Sequence, residues 1–182
     1  ADATGIAANI KTADGKSAER RFSHCIVAVG IVPNTENIGL EKLGVTMDRG
    51  FLKTDPMCRT NVPGIWAIGD VTFRPVPTHG GHRHRLESVP NALEQAKQAA
   101  AAITGRAAPT PEVPWFWSDQ YDLKLQIAGL ADGADRQIVR GEPGTIGEGA
   151  SFAVFHLAGD RILCVEAVNA PAEFMAGRMM IG

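Results

Sequence analysis

"TNVPGIWAIGDV", residues 60–71, is the stretch that decides the fold of the middle of this chain. A turn leads into an apolar segment, which predicts a short buried strand over residues 64–68 that stops at Gly69 and Asp70. Open α/β sheets bind ligands at the carboxyl ends of their strands. Asp70 is therefore a candidate to accept a hydrogen bond from a ligand hydroxyl, and Gly69 would allow close backbone approach. The alternative is an ordinary turn aspartate.

The composition is typical of a globular protein. The chain has 182 residues, 45% of them hydrophobic, and a chain of this length buries roughly 70% of its unfolded surface. With 18 basic and 20 acidic residues it carries a net charge of -2, which provides no field that would attract nucleic acid. Its apolar runs are shorter than the ~18 residues of a membrane span, and no secretion signal is visible. We therefore expect no nucleic-acid or membrane partner and a cytoplasmic location.

The first third of the chain predicts β-structure. Residues 5–12 and 19–29 have the composition of strands, and Asp14-Gly15 between them favours a hairpin turn. The second segment continues as an apolar strand that breaks at Gly30 and Pro33. A further short strand is predicted over residues 50–54.

A helix is predicted from Ser88 to Gly105. Small and apolar residues recur at helical spacing between these positions, namely Val89, Leu93, Ala96, Ala100 and Ile103. Ser88 can cap the helix, and Pro90 is suited to its first turn. Unpaired N–H groups at such a helix start can stabilise negative charge on a ligand. The alternative is a helix that only packs on a sheet.

The second half of the chain predicts an antiparallel domain. Residues 104–114 contain three prolines and form the clearest boundary. Beyond it, strand-length segments and a closing helix entered through Pro171 are separated by glycine-containing turns. The predicted strands are residues 122–129, 136–141, 151–157 and 162–168, with a loose loop over 141–150.

The sequence offers three clustered histidines and three cysteines as candidate metal ligands. His79, His82 and His84 match no structural zinc spacing, and a basic, solvent-exposed loop is the better interpretation. The cysteines are far apart in sequence and form no metal or redox motif, so we expect small buried side chains. The sequence predicts no metal site.

Two flavoprotein families share motifs with this chain. Residues 60–71 are similar to the second flavin-binding motif of the two-dinucleotide-binding-domain flavoproteins. Residues 26–71 resemble the dihydrolipoamide dehydrogenases through "GIVPNTENIGLEKLGV" and "CRTNVPGIWAIGDV". Residues 85–182 instead resemble the oxygenase-coupled ferredoxin reductases of the putidaredoxin reductase type, through "RLESVPNALEQAKQAA", "VPWFWSDQYDLKLQIAGL" and "AVNAPAEFMAGR".

The resemblance implies a fold and a division into domains. The fold is α/β, a partial FAD/NAD(P)-binding domain, followed by an α+β reductase C-terminal domain with an antiparallel sheet. Residues 1–33 would end an NAD(P)-binding domain, 34–108 would form the second half of an FAD-binding domain, and 109–182 would form the C-terminal interface domain.

The resemblance also implies the contacts with the cofactor. A glycine and an aspartate lie at the ribityl chain of FAD, a helix start faces the flavin N1 and C2 carbonyl region, and an aromatic segment lies beside the isoalloxazine and the ferredoxin-facing surface. Those residues are Gly69, Asp70, Glu87, Ser88, Val89, Trp115 and Trp117. The two tryptophans could alternatively be core or interface anchors. No catalytic residue is implied in this chain.

The implied activity is electron transfer from NADH or NADPH through FAD to a ferredoxin-type iron–sulfur partner. A flavin can accept two electrons as a hydride and pass them on singly. Neither of the G-x-G-x-x-G loops that hold the cofactor pyrophosphates is present in the sequence. We therefore expect a C-terminal part of an enzyme that is inactive without an N-terminal half. The alternatives are a fragment of a dihydrolipoamide dehydrogenase-like disulfide oxidoreductase and a non-enzymatic truncated or chimeric module.

Overall fold

A computed structural model describes residues 5–28, 30–143 and 149–181. It divides into two compact units, Ala1–Val32 and Pro33–Gly182. In the first unit, strand β1 (Ile6–Lys11) pairs antiparallel with β2 (Ser17–Phe22). The amide of Gly15, which has a φ of 83°, donates to the carbonyl of Thr12 in the connecting turn. The predicted hairpin is confirmed.

The prediction that the second strand continues through residues 24–28 and 30–32 was wrong, and residue 29 lies outside the described residues. Strand β2 ends at Phe22, and residues 24–28 and 30–32 have no regular structure. The side chains of Ile26 and Val32 are 91% and 80% exposed. A strand with apolar residues on both faces requires neighbouring layers to cover it, and no described strand pairs with this segment. Apolar composition alone therefore predicted a strand that its surroundings do not support.

The second unit begins with a small mixed sheet and two helices. Its four strands lie in the order β3-β4-β5-β6, with β4 and β5 parallel and the other pairs antiparallel. A 3-10 turn, η1, lies between β5 and β6. The elements are α1 (Leu40–Leu43), β3 (Met47–Asp48), β4 (Phe51–Lys53), β5 (Thr72–Pro75), η1 (Pro77–His79), β6 (Arg83–His84) and α2 (Val89–Thr104).

The predicted strand over residues 64–68 is absent from the described structure. This segment makes an isolated bridge, between Arg59 and Trp66, and the Ala67 amide donates to the Cys58 carbonyl over 3.0 Å. The segment thus folds back on the residues just before it and closes a loop. Asp70 consequently lies in a turn that precedes β5, not at the end of a strand.

Helix α2 begins and ends as predicted. The Oγ atom of Ser88 accepts a hydrogen bond from the Asn91 amide over 3.3 Å, and Pro90 lies in the first turn. Gly105 follows the last turn with a φ of 67°, and the amide at this end donates to the Ala101 carbonyl. Capping chemistry is local, so the sequence defined both ends.

Helix α2 turns its polar face to the interior and leaves much of its apolar face exposed. Amphipathic helices normally direct their apolar stripe to the core, yet Val89, Leu93 and Ile103 are 58%, 59% and 62% exposed. The side chains that the helix buries are largely polar. They are Asn91, Glu94, Gln95 and Gln98, together with Ala99 and Ala101.

The C-terminal part is a five-stranded antiparallel sheet covered by one helix. The strand order is β7-β8-β11-β10-β9, and the predicted strands and closing helix are confirmed. The aromatic segment at residues 115–120, which was not predicted as a strand, pairs with β8 at the edge of the sheet. The elements are β7 (Trp115–Gln120), β8 (Leu123–Gly129), β9 (Arg136–Gly141), β10 (Phe152–Ala158), β11 (Arg161–Val168) and α3 (Pro171–Met180).

The main hydrophobic core lies between this sheet and α3. Phe174 of the helix and Val165 of β11 are 2% and 0% exposed. A Cβ atom on Gly177 would lie 2.7 Å from Val165 Cγ1, so this glycine permits close contact between helix and sheet.

Part of the predicted loop over 141–150 lies outside the described residues, and the predicted domain boundaries at residues 33 and 108 stay predictions. None of the helices in the described ranges has the length and hydrophobicity of a membrane span.

Candidate functional site

A cleft of about 290 Å³ lies where the turn before β5, the start of α2 and strand β7 meet. Ligand pockets commonly measure about 300–1,000 Å³, so this cleft suits one part of a large ligand. Five of the seven predicted site residues line it. The lining residues are Asp70, Glu87, Ser88, Val89, Ala92, Phe116 and Trp117.

The turn that carries Asp70 is defined by hydrogen bonds to the Gly69 carbonyl. The Thr72 amide donates to that carbonyl over 3.0 Å, and the Thr72 hydroxyl donates to it over 2.8 Å. Asp70 is exposed at the second position of the turn. Its carboxylate is therefore free to accept a hydrogen bond from a ligand that enters the cleft.

Gly69 has a conformational role in this turn that the sequence analysis did not predict. The backbone here has a φ of 79°, a conformation that glycine adopts without steric cost. A Cβ atom on Gly69 would meet nothing within 4 Å. The glycine thus sets the direction of the chain at this turn, and close approach of a ligand to its backbone stays a prediction.

The start of α2 forms the opposite wall of the cleft. Ser88 is in an extended conformation and caps the helix, and the first N–H groups of α2 carry partial positive charge at this end. Oε1 of Glu87, also at this wall, is buried and has no hydrogen-bond partner. The Arg85 Nη1 atom lies 3.4 Å from it without the geometry of a hydrogen bond. The wall therefore offers a ligand a positive helix end, whereas Glu87 Oε1 is buried and ion-paired with Arg85.

The two tryptophans, which the sequence could not distinguish, occupy different positions in the structure. Trp117, at the cleft, is 38% exposed. Trp115 packs against the C-terminal core, with its ring 6.2 Å from that of Phe174 and 4.9 Å from the Arg178 guanidinium carbon. The two indoles stack with centroids 5.2 Å apart. Trp115 lines two neighbouring depressions, one of which it shares with Trp117, and its indole lies against that of Trp117.

A buried polar network beneath the cleft was missed at the sequence level. The Arg74 guanidinium, 2% exposed, donates over 2.9 Å to both Glu94 Oε2 and Asn91 Oδ1. Gln95, with 0% exposure, accepts a hydrogen bond from the Gly69 amide. Residues 91, 94, 95 and 98 do recur at the spacing of one helical face and all are polar, but a solvent-exposed face gives the same pattern.

The histidine loop is not the wholly solvent-exposed one that was predicted. His79 is half-buried, and its Nε2 atom accepts a hydrogen bond from the Leu130 amide over 3.0 Å. Burial lowers the pKa of His79, which agrees with a neutral ring. His84 Nδ1 lies 3.4 Å from Asp132 Oδ2, and of the three only His82 is exposed. Two histidines thus tie this loop to the C-terminal sheet. The described ranges hold no group of three metal-ligating side chains.

Two of the three cysteines are buried as expected. Burial raises the pKa of Cys58 to about 11 and that of Cys164 to about 12, so both thiols stay protonated at neutral pH. Cys25 is exposed, contrary to the prediction.

Comparison with known proteins gives two family matches. Residues 1–96 match the pyridine nucleotide-disulphide oxidoreductase family, and residues 115–182 match the reductase C-terminal domain. A probable ferredoxin reductase of Castellaniella defragrans is 50% identical over 156 residues, which cover 86% of this chain and 36% of that protein. A dihydrolipoyl dehydrogenase of Zymomonas mobilis is 48% identical over 104 residues, covering 57% of this chain and 20% of that protein.

Solved structures show the same fold. The covalent putidaredoxin reductase–putidaredoxin complex superposes with a TM-score of 0.78 and 37% identity, over 93% of this chain and 38% of that one. The chain thus spans little more than a third of each of these two ferredoxin reductases, 36% of the one and 38% of the other. Both halves of the resemblance inferred from the motifs are confirmed, and the chain belongs to the pyridine nucleotide-disulphide oxidoreductase family, with residues 115–182 forming a reductase C-terminal domain.

Proposed function

We propose that this chain forms one side of the FAD site of a reductase that passes electrons from NADH or NADPH to a ferredoxin-type iron–sulfur protein. The observation that carries the proposal is the cleft. It brings together an exposed carboxylate at Asp70, the start of a helix at Ser88 and Val89, and the indole of Trp117, which lie far apart in sequence.

The donor and acceptor chemistry of the cleft fits a flavin. The Asp70 carboxylate can accept a hydrogen bond from a ribityl hydroxyl, and the Trp117 indole offers an apolar surface to a planar ring. The start of α2 can stabilise negative charge by roughly 0.3–2 kcal/mol. When bound, FAD would supply the chemistry of accepting a hydride and releasing electrons singly. The cleft takes only part of such a cofactor, so other segments are needed to hold the rest.

The proposed partner follows from the C-terminal half. The relative from Castellaniella defragrans is named a ferredoxin reductase, and the solved complex holds a reductase with putidaredoxin. Residues 115–182 match the reductase C-terminal domain. These similarities support a small iron–sulfur protein as electron acceptor. We also assign the chain to the cytoplasm, where NADH and NADPH are available.

Substitution of Asp70 tests the cofactor site. In the FAD-loaded protein that carries this chain, Asp70→Ala should weaken FAD binding at least about tenfold, because a charge-assisted hydrogen bond contributes on the order of 1.5–3 kcal/mol. Asp119→Ala is the matched control, since Asp119 is exposed on β7 and does not line the cleft. Equal FAD affinity in both variants, measured by flavin fluorescence, would contradict the proposed site.

The reaction is tested by the choice of electron acceptor. NADH- or NADPH-dependent reduction of cytochrome c should require added ferredoxin. The similarity to a dihydrolipoyl dehydrogenase over 104 residues favours a second candidate, a disulfide oxidoreductase. Turnover with lipoamide and none with any ferredoxin would favour that alternative. A protein that binds no flavin at all would instead indicate a non-enzymatic module.

A further inference from the structure

The side chain of Gln95 lies directly beneath the turn that carries Asp70. It is fully buried, with 0% exposure. Its Oε1 atom accepts a hydrogen bond of 2.7 Å from the Gly69 amide, and its Nε2 atom donates to Thr72 Oγ1 over 3.1 Å. One side chain on α2 therefore contacts both ends of the turn.

These contacts close into a ring of hydrogen bonds. The Thr72 hydroxyl has one proton, which it donates to the Gly69 carbonyl over 2.8 Å, so its oxygen is available to accept from Gln95. The N–H and the C=O of Gly69 are thereby both held, one by Gln95 and the other by Thr72. Asp70 is the next residue, and its backbone position follows from this ring.

Asn91 performs a similar task one turn earlier on the same helix face. Its Nδ2 atom donates to the Leu86 carbonyl over 2.7 Å and lies 3.3 Å from Gln95 Oε1. The segment that leads into Ser88 is thus hydrogen-bonded to Asn91, whose side-chain amide is in turn hydrogen-bonded to that of Gln95. Both walls of the cleft are attached to one rigid element, α2.

We propose that Gln95 is a positioning residue for the FAD site: it holds the Asp70 turn in register with the start of α2, so that carboxylate and helix end face one ligand. The inference rests on the proposed function for the identity of that ligand. It explains why α2 buries its polar face, since apolar side chains there could not hold a backbone amide in one direction. Gln95 itself does not line the cleft.

The test compares Gln95→Leu with Gln98→Leu in the FAD-loaded protein that carries this chain. Gln98 is also a buried amide on this face, but it contacts Glu94 and Cys58 and lies away from the cleft. Both variants should lower stability to urea. Only Gln95→Leu should weaken FAD binding, by about tenfold or about 1.4 kcal/mol, and shift the visible absorption band of the bound flavin.

Conservative replacement distinguishes positioning from general support. Burial at this position favours the protonated form of the new side chain in Gln95→Glu. That form keeps an oxygen that can accept from the Gly69 amide and an O–H that can donate to Thr72 Oγ1, so it should restore FAD affinity to within about threefold of wild type. If Gln95→Leu does not fold, Thr72→Val breaks the same ring and should weaken FAD binding about threefold.

Each outcome bears on the inference. The inference would be overturned if Gln95→Leu had wild-type FAD affinity and an unshifted flavin band. If Thr72→Val is used in its place, the same result in that variant would overturn the inference. A loss of FAD affinity in Gln98→Leu equal to that in Gln95→Leu would also overturn the inference, because both substitutions would then act through the stability of the protein. Wild-type protein that takes up no flavin would overturn the proposed function itself, a result that the variants cannot produce.

Discussion

Helices α2 and α3 both begin with a proline in the first turn, yet different forces hold them in place. Helix α3 buries Phe174 and Gly177 against the C-terminal sheet. Helix α2 buries polar side chains that bond to the turn before β5, to β5 itself and to the segment before the helix.

The difference has a consequence for function. Apolar packing is non-directional and mainly determines how close two elements lie. Hydrogen bonds depend steeply on distance and angle, so they also determine the orientation of the groups they join. Helix α3 is therefore suited to stabilising a domain, whereas α2 is suited to holding the walls of a binding cleft in register. Three predictions test this comparison, and a fourth tests the contact between the histidine loop and the C-terminal sheet.

Breaking the buried ion pair under α2 should have the largest effect. Arg74→Met leaves the Glu94 carboxylate buried without its charged partner, which is 2.9 Å away in the native protein. We expect a loss of about 3–5 kcal/mol in the free energy of unfolding, measured by urea denaturation. The double variant Arg74→Met/Glu94→Leu should recover most of this loss, because no buried charge is left. A double variant as unstable as the single one would show that the ion pair is not the cause.

Crowding the packed helix should have a smaller effect. The Cβ atom of Gly177→Ala would lie 2.7 Å from Val165 Cγ1 and 3.1 Å from Phe155 Cε1. Overpacking of this kind costs about 1–3 kcal/mol, measured in the same way. Met179→Ala, at an 83% exposed position of α3, should change stability by less than about 0.5 kcal/mol. Gly177→Ala at wild-type stability would mean that the helix can shift to make room.

Removing the cap of α2 should cost less again. Ser88→Ala deletes the oxygen that accepts from the Asn91 amide, and such a change typically costs about 1 kcal/mol. Ser88→Asn keeps a side-chain acceptor and should stay close to wild type. Equal losses in the two variants would argue against capping and in favour of a role for the small serine side chain in the cleft.

Acid should weaken the contact between the histidine loop and the C-terminal sheet. Burial, with smaller contributions from His84 and Arg161, lowers the pKa of His79 below its ordinary 6.5. The Leu163 carbonyl and, more weakly, Asp132 oppose this shift. The unfolded chain therefore binds the proton more tightly. Stability should be unaffected by His79 above pH 6.5 and should fall as the pH drops from 6.5 through the lower folded pKa.

This pH dependence should be absent in His79→Gln and present in His82→Gln, because His82 is exposed and makes no comparable contact. Urea denaturation between pH 5 and pH 8 measures it. If the free energy of unfolding of His79→Gln fell with decreasing pH as steeply as that of the wild type, the titration would belong to another group.

Much of the fold was predictable because its causes are local. The caps of α2, the hairpin at Asp14-Gly15 and the strands of the C-terminal sheet follow from residue types a few positions apart. The apolar segments at residues 24–28 and 64–68 were predicted as strands and are not. A strand needs partners, which a local pattern does not report.

The sequence motifs predicted which residues form the candidate site, but not how the fold positions them. The residues at positions 70, 87, 88, 89 and 117 do share a cleft, but Asp70 reaches it from a turn and Trp115 packs behind it. The residues that hold the walls in place, Gln95 above all, were not predicted, because an internal polar residue of a helix looks like a solvent-exposed one.

The sequence by itself determined the family, the ends of the helices and the alternation of the C-terminal strands, since each depends on neighbouring residues or on a motif. Only the tertiary structure decided which face of α2 is buried. That choice depends on partners distant in sequence: Arg74 pairs with Glu94 across 20 positions, and the Gly69 amide bonds to Gln95 across 26. Such pairings stabilise a buried polar face only once the chain has folded, because each donor must find its acceptor at hydrogen-bond distance away from water.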